Sequence, residues 1–171
     1  GGVVSALAPL LTGATDARWV AAASTDDDRA AVRAGAAKID GLELRLLDID
    51  ARVQRLHLDV LCNSTLWFLH HGLFDLARRP RFDNRFREAW SAYVDVNTRF
   101  ADTIATDAGR REVVLVNDYH LALVPTLLRA RRPDLRVLHF THTPFCGPNS
   151  IRTLPDDVAE ALCTSLGDGV A

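Results

Sequence analysis

The apolar positions along the chain fall into runs of two kinds, and their order predicts the architecture. Short unbroken apolar runs are the pattern of strands covered on both faces, and three-and-four spacing is that of helices packed against them. Residues 113–116 form such a run, followed at once by Asn117 and Asp118, either of which can cap a helix N-terminus. Leu121, Val124, Leu127 and Leu128 then recur at helical spacing. Arg129, Arg131 and Arg132 occupy the last turn, where cations suit the helix dipole. Pro133-Asp134 stops this helix, and residues 136–141 form a second apolar run that Thr143-Pro144 ends. A strand–helix–strand unit this short predicts a right-handed crossover between parallel neighbours. Asp118 and His142 are therefore expected just past the C-terminal ends of adjacent parallel strands, the edge where open α/β sheets bind ligands. The plainer readings are that Asp118 is an N-cap and His142 a satisfied structural histidine.

The rest of the chain reads as further α/β elements. Residues 3–11 predict a helix with Val3, Val4, Leu7, Leu10 and Leu11 on one face, bent or shortened by Pro9. Gly1 and Gly2 would precede it, and bare backbone N–H groups there can seat a phosphate, although most such pairs are turns. Residues 18–23 read as a strand, and Asp26-Asp27-Asp28 as a solvated loop or helix start. Asp40-Gly41 signals a turn, and residues 42–49 alternate like a half-exposed strand at a sheet edge. Asp50 is placed to cap a helix running from residue 51 to about residue 60. The apolar and aromatic segment 62–76 carries His70 and His71, which as neighbours on a helix point apart and lack metal-ligand spacing. Residues 78–81, with Pro80, read as a basic loop. The strongest helix spans 82–104, where Phe82, Phe86, Trp90, Tyr93, Val96, Phe100 and Ile104 step by three and four. This stripe is expected to pack on the sheet, and an aromatic at its cleft end can stack on a sugar. A last helix falls within 150–166, with Pro155 at its first position and acids in its first turn.

Composition narrows the function classes. A chain of 171 residues suffices for one domain with a proper core and is too short for two large ones. With 22 acidic and 20 basic residues the net charge is -2, which speaks against a nucleic-acid surface or a polybasic membrane patch. Cys62, Cys146 and Cys163 are odd in number and form no C-x-x-C, so reduced thiols in a cytoplasmic protein are expected. No apolar run approaches transmembrane length. Asn63-Ser64-Thr65 matches a glycosylation acceptor, a match common by chance. There is no P-loop, G-x-S-x-G or H-E-x-x-H. The opening on Gly1-Gly2 without Met, and the ending on Gly169-Val170-Ala171, suggest an internal piece of a longer protein.

The central unit spells Val116-Asn117-Asp118-Tyr119-His120-Leu121-Ala122-Leu123-Val124-Pro125, then Arg132-Pro133-Asp134-Leu135-Arg136, then Phe140-Thr141-His142-Thr143-Pro144-Phe145. It resembles the trehalose-6-phosphate synthase family (glycosyltransferase family 20), retaining enzymes that join glucose from a nucleotide sugar to glucose 6-phosphate. Gly1-Gly2-Val3-Val4-Ser5-Ala6-Leu7, Asn63 to Trp67, Ala89-Trp90, Tyr93, Val96-Asn97 and Leu154-Pro155 extend the likeness in one order along nearly the whole chain.

The resemblance implies a Rossmann-like parallel sheet with flanking helices, the N-terminal half of a GT-B glycosyltransferase. Residues 1–171 would form a single acceptor-side domain, incomplete at both ends and inactive alone, with the C-terminal nucleotide-sugar domain elsewhere. It further implies that Asp118 contacts the acceptor sugar and His142 the transferring sugar. Gly1 and Gly2 would lie by the donor diphosphate, and Trp90 would line the acceptor pocket. The implied partners are UDP- or GDP-glucose and glucose 6-phosphate, with homo-oligomerisation open, and no metal or other cofactor is called for. Several positions depart from the family pattern: Ala22 and Gly72 fall where acceptor-pocket aromatics stand, Phe68 replaces a Pro, and Asn117 replaces a His or Gln. These departures keep two other readings open. One is a pseudo-glycosyltransferase coupling a nucleotide-activated cyclitol to a sugar- or cyclitol-phosphate acceptor. The other is a catalytically silent sugar-phosphate-binding homologue.

Overall fold

The structure is a computed structural model in which residues 17–35, 38–39, 42–74 and 79–169 are described. The helix expected over 3–11, the Gly1-Gly2 pair and the Asp40-Gly41 turn lie outside the described residues. The chain divides into two compact units, Gly1–Ile49 and Asp50–Ala171, each taken by itself below.

In the first unit, strand β1 (Arg18–Ala22) is followed by helix α1 (Asp26–Arg33), strand β2 (Lys38–Ile39) and strand β3 (Leu42–Leu47). β1 and β3 are parallel, with Arg18 opposite Glu43 and Ala22 opposite Leu47, and β2 joins the other side of β3 antiparallel. β3 is thus the central strand of this three-stranded sheet and not an edge strand. Its alternation reflects one wet face, and a central strand of a sheet covered on one side alternates in the same way as an edge strand. The acidic run is a helix start. Thr25 accepts from the Asp28 amide, while Asp28 Oδ2 accepts from the Ser24 and Thr25 amides, forming a reciprocal cap.

The second unit begins with a long helical rod: α2 (Ala51–Arg55), a π-helical stretch (Leu56–Leu66) and α3 (Trp67–His70). Asp50 caps it as expected, Oδ1 accepting from Arg52 N at 2.8 Å and Val53 N at 3.1 Å. The rod runs beyond the expected end near residue 60 because Ser64 and Thr65 do not break it. Their hydroxyls bond back to the carbonyls of Asp59 and Val60, five residues earlier, in step with the wider π turn. The rod closes at Gly72, whose φ of 65° is the left-handed conformation of a helix stop. Leu73 N there donates to Phe68 O, and Gly72 N to Leu69 O.

Helix α4 (Asn84–Asp107), capped by Asp83, buries Phe86, Tyr93, Val96 and Phe100 from the expected stripe. It also buries Asn97, fully. Then come β4 (Val113–Asn117), a 3₁₀ turn (Tyr119–Leu121), α5 (Val124–Arg131), β5 (Arg136–Phe140), α6 (Pro148–Ile151) and α7 (Asp156–Asp168). β4 and β5 are parallel in register, Val113 opposite Arg136 and Asn117 opposite Phe140, as the strand–helix–strand reading requires. The core joins the π-helical rod, α4, the 3₁₀ turn and α7 through Leu61, Leu66, Leu69, Phe86, Tyr93 and Leu162, among others.

Two details refine the expectations. The Arg132-Pro133-Asp134 segment is a structural clamp. The Arg132 guanidinium donates to the carbonyls of Ala105, Ala108 and Gly109 at the end of α4, and to both oxygens of Asp134. Those hydrogen bonds hold the Asp134 carboxyl well below the usual carboxylate range. The second detail is a correction: β4 is not covered on both faces. Val116 is buried, but Val113 and Leu115 are each 55% exposed and Phe140 of β5 is 63% exposed. An apolar run shows that a strand can be buried twice, not that both covers are in place.

Candidate functional site

The site is built where β4 and β5 end side by side. Asn117 is the last residue of β4, and Asp118 turns the chain away from the sheet. Asp118 has φ 66° and ψ 169°, a region that residues other than glycine rarely occupy and that costs ~1–3 kcal/mol. It is not the cap of a regular helix. Its Oδ1 accepts from Tyr119 N at 2.9 Å, and the chain makes a 3₁₀ turn before α5 begins at Val124.

The peptide groups of this turn find partners on every side. Asp118 N donates to Phe140 O of β5 at 2.7 Å. Asp118 O accepts from Leu121 N at 3.2 Å and from His139 Nε2 at 3.1 Å. From α4, Tyr93 Oη donates to Tyr119 O at 2.6 Å and accepts from Ala122 N at 3.1 Å. Asn97 Nδ2 donates to His120 O at 3.2 Å, and its Oδ1 accepts from Leu123 N at 3.0 Å. From the π-helical rod, His57 Nε2 donates to His120 O at 3.0 Å. A carbonyl can only accept, so His57 and His139 both carry their proton on Nε2. Burial pulls the His57 pKa down to about 4, against the help of the His120 carbonyl, and burial also lowers that of His139. Burial pushes the Tyr93 phenol far up, so it stays a donor.

His142 stands on the other side. It follows β5, is exposed, and its Nε2 donates to Asn117 Oδ1 at 3.3 Å. Its ring meets Phe140 edge-on at 4.8 Å between centroids. The structure therefore brings His142 to the residue beside Asp118, as the crossover reading required. His70 links the two sides from the rod. Its ring lies 5.7 Å from Tyr119 and 5.0 Å from Phe145, and its Nδ1 accepts from Cys146 N at 3.4 Å. Burial brings the His70 pKa down to about 4. His120 Nδ1 approaches Asp118 Oδ2 at 3.9 Å, too far for a hydrogen bond, and burial keeps this imidazole neutral to lower pH than usual. Oδ2 of Asp118 is left to accept from an incoming hydroxyl, and the side chain is 17% exposed.

Trp90 is half-buried and stacks on Tyr93, with centroids 5.4 Å apart and planes at 16°. Of the candidate residues, Asp118 and His142 thus share an edge, Trp90 joins them through Tyr93, and Gly1 and Gly2 lie outside the described residues. Tyr93, Asn97, His57 and His139 were not singled out for the site. An amide in the apolar stripe of α4, four residues after a tyrosine on the same face, was the available signal. Among the described residues no group of three or more His, Cys, Asp or Glu could hold a metal ion, and no helix is long and apolar enough to cross a membrane.

Residues 1–167 match the sequence pattern of glycosyltransferase family 20. The chain belongs to that family. It is 41% identical over 145 residues to a trehalose-6-phosphate synthase of Mycobacterium ulcerans (strain Agy99), covering 85% of this chain and 28% of that protein. The chain therefore spans well under a third of that relative's length. An OtsA apo structure superposes with a TM-score of 0.79 at 23% identity, over 99% of this chain and 36% of that one. A structure described as "Trehalose-6-phosphate from E. coli bound with UDP-2-fluoro glucose" gives 0.76 at 22% identity, over 99% and 35%. These likenesses show the fold: α/β with parallel strands and flanking helices, as in those structures. Within the family-20 pattern, Arg132-Pro133-Asp134 has the structural role described above. Gly72, one of the departures from the family pattern, sits at a left-handed helix stop that an L side chain would strain.

Proposed function

We propose that this chain is the acceptor-side domain of a longer retaining glycosyltransferase. The enzyme moves glucose from a nucleotide sugar, UDP- or GDP-glucose, onto glucose 6-phosphate to give trehalose 6-phosphate in the cytoplasm. The observation that carries the reading is the placement of Asp118 and His142 at one strand edge, in a chain whose residues 1–167 follow the family pattern. Asp118 orients the acceptor hydroxyl through Oδ2, and Trp90 lines the acceptor pocket. His142 hydrogen-bonds the transferring sugar. Gly1 and Gly2 offer backbone N–H groups to the donor diphosphate. Retaining transfer of this kind has an oxocarbenium-like transition state, with the leaving diphosphate close to the incoming hydroxyl. The protein's work is then orientation and charge stabilisation, and it needs no nucleophilic side chain.

The test uses the full-length protein with UDP-, GDP- or ADP-glucose and glucose 6-phosphate, read by mass spectrometry. A disaccharide phosphate with matching nucleotide release supports the reading and names the donor. No product from a folded protein overturns it. The left-handed Gly72 and the small Ala22 at the end of β1 favour a second reading, a pseudo-glycosyltransferase with a cyclitol phosphate as acceptor. Better use of glucose 6-phosphate than of cyclitol phosphates would dispose of it. Binding of either without turnover marks a silent homologue. The chain by itself is expected to be inactive.

A further inference from the structure

We propose that Tyr93 and Asn97 are positioning residues for the Asp118 carboxylate: from α4 they hold the backbone of residues 119–123 and so keep Asp118 in the conformation that presents its carboxylate at the sheet edge. The proposal rests on the reading of Asp118 as the acceptor contact. Both residues are fully buried, so neither touches a substrate. Their polar atoms are nevertheless aimed at the turn that follows Asp118. Tyr93 Oη takes Tyr119 O and Ala122 N, and Asn97 takes His120 O and Leu123 N, at 2.6–3.2 Å. Only one further bond, from Asn97 Nδ2 to Tyr93 O at 2.9 Å, stays within α4 and ties the two together.

The turn needs such outside partners. A strand that enters a helix through an ordinary N-cap satisfies the first amides with the cap side chain. Here five residues separate Asp118 from the start of α5; without α4 the amides of Ala122 and Leu123 and the carbonyl of Tyr119 would lose these partners, and the His120 carbonyl would keep only His57. Asp118 meanwhile holds a backbone conformation that a non-glycine residue leaves when it is free to do so. On the strand side the same residue is pinned by Phe140 O and His139 Nε2. With both flanks fixed, the positive φ persists and the carboxylate direction is set before a ligand arrives. Preorganisation of this kind is where small displacements cost most in rate.

The test is a double-mutant cycle in the full-length protein. Tyr93→Phe removes one oxygen and keeps the ring contacts with Trp90 and His57. It should lower kcat/KM for the acceptor about 10- to 100-fold, with donor KM within about twofold. Combined with Asp118→Asn, the same change should cost no more than about twofold, read as acceptor affinity if turnover is too slow. Val96→Ala, which opens the core on the same helix, should leave kcat/KM within about twofold despite lowering stability. An equal loss with and without the Asp118 carboxylate, or an equal loss from Val96→Ala, overturns the proposal. If Tyr93→Phe does not fold, Asn97→Ser carries the same cycle. If the wild type transfers to no acceptor, the functional reading fails and the positioning claim is decided separately, by the crystal structure of Tyr93→Phe. Relaxation of Asp118 to negative φ, with faster amide exchange at Ala122 and Leu123, supports it. An unchanged φ and unchanged exchange overturn it.

Discussion

The two strand ends that meet at the site are built in opposite ways. After β4, Asp118 leaves the sheet into a turn whose peptide groups are bound from β5, α4 and the π-helical rod. After β5, His142 is exposed and makes one side-chain hydrogen bond, to Asn117, and an edge-on ring contact with Phe140, and the segment behind it meets His70 through Phe145 and Cys146. The carboxylate side is fixed before binding; the imidazole side can adjust. This division suits a transfer reaction in which the acceptor hydroxyl must be aimed, while the sugar being moved changes shape on the way to its transition state.

The contrast between the two strand ends is tested most directly at Asp118. Asp118→Ala in the full-length protein should reduce transfer by about 10³-fold or more, because it removes the carboxylate oxygen proposed to take the acceptor hydroxyl. Turnover within tenfold of wild type would remove the role assigned to it. His142→Ala should cost about 10²-fold in kcat while leaving the thermal midpoint nearly unchanged, since the side chain is exposed. A large drop in midpoint would mean that the imidazole side is as structural as the carboxylate side.

Stability should show the reverse asymmetry. Asn97→Leu takes away the Leu123 amide's partner and leaves the His120 carbonyl with His57 alone, and should cost about 2–4 kcal/mol by urea unfolding. The pH dependence follows from the same burial. His57 and His70 have folded pKa values near 4 against about 6.5 unfolded, so the unfolded chain binds more protons between those values. Stability is therefore full above about pH 6.5 and falls as the pH drops towards 4, by on the order of 3 kcal/mol from His57. His57→Gln keeps a donor towards His120 O without the titration and should flatten the slope in urea midpoints measured across that range. The smallest effect is expected from Asn117→Ala, about two- to fivefold in kcat with no change in midpoint, because it frees only an exposed imidazole. A loss as large as that of Asp118→Ala would show the two sides to be equally preorganised.

Much of this was legible in the chain, and the boundary of legibility is physical. Apolar periodicity and caps are local properties, so the β4–α5–β5 unit, the long α4 and the Asp50 cap could be read directly. Parallel pairing follows from the shortness of the crossover, which placed Asp118 and His142 at adjacent strand ends. The family motifs are likewise runs of sequence. The tertiary structure decided what depends on partners far along the chain. The central place of β3 depended on the strands beside it, and the open face of β4 on which covers are present. The continuation of the rod past residue 60 depended on hydroxyls reaching back five residues to carbonyls exposed by a π turn. Tyr93 and Asn97 lie on α4, apart from the turn they hold, and in sequence they look like one more aromatic and one stray amide on a helix. Whether a buried polar group is a defect or a clamp is set by the group it meets, and only the fold brings that group into reach.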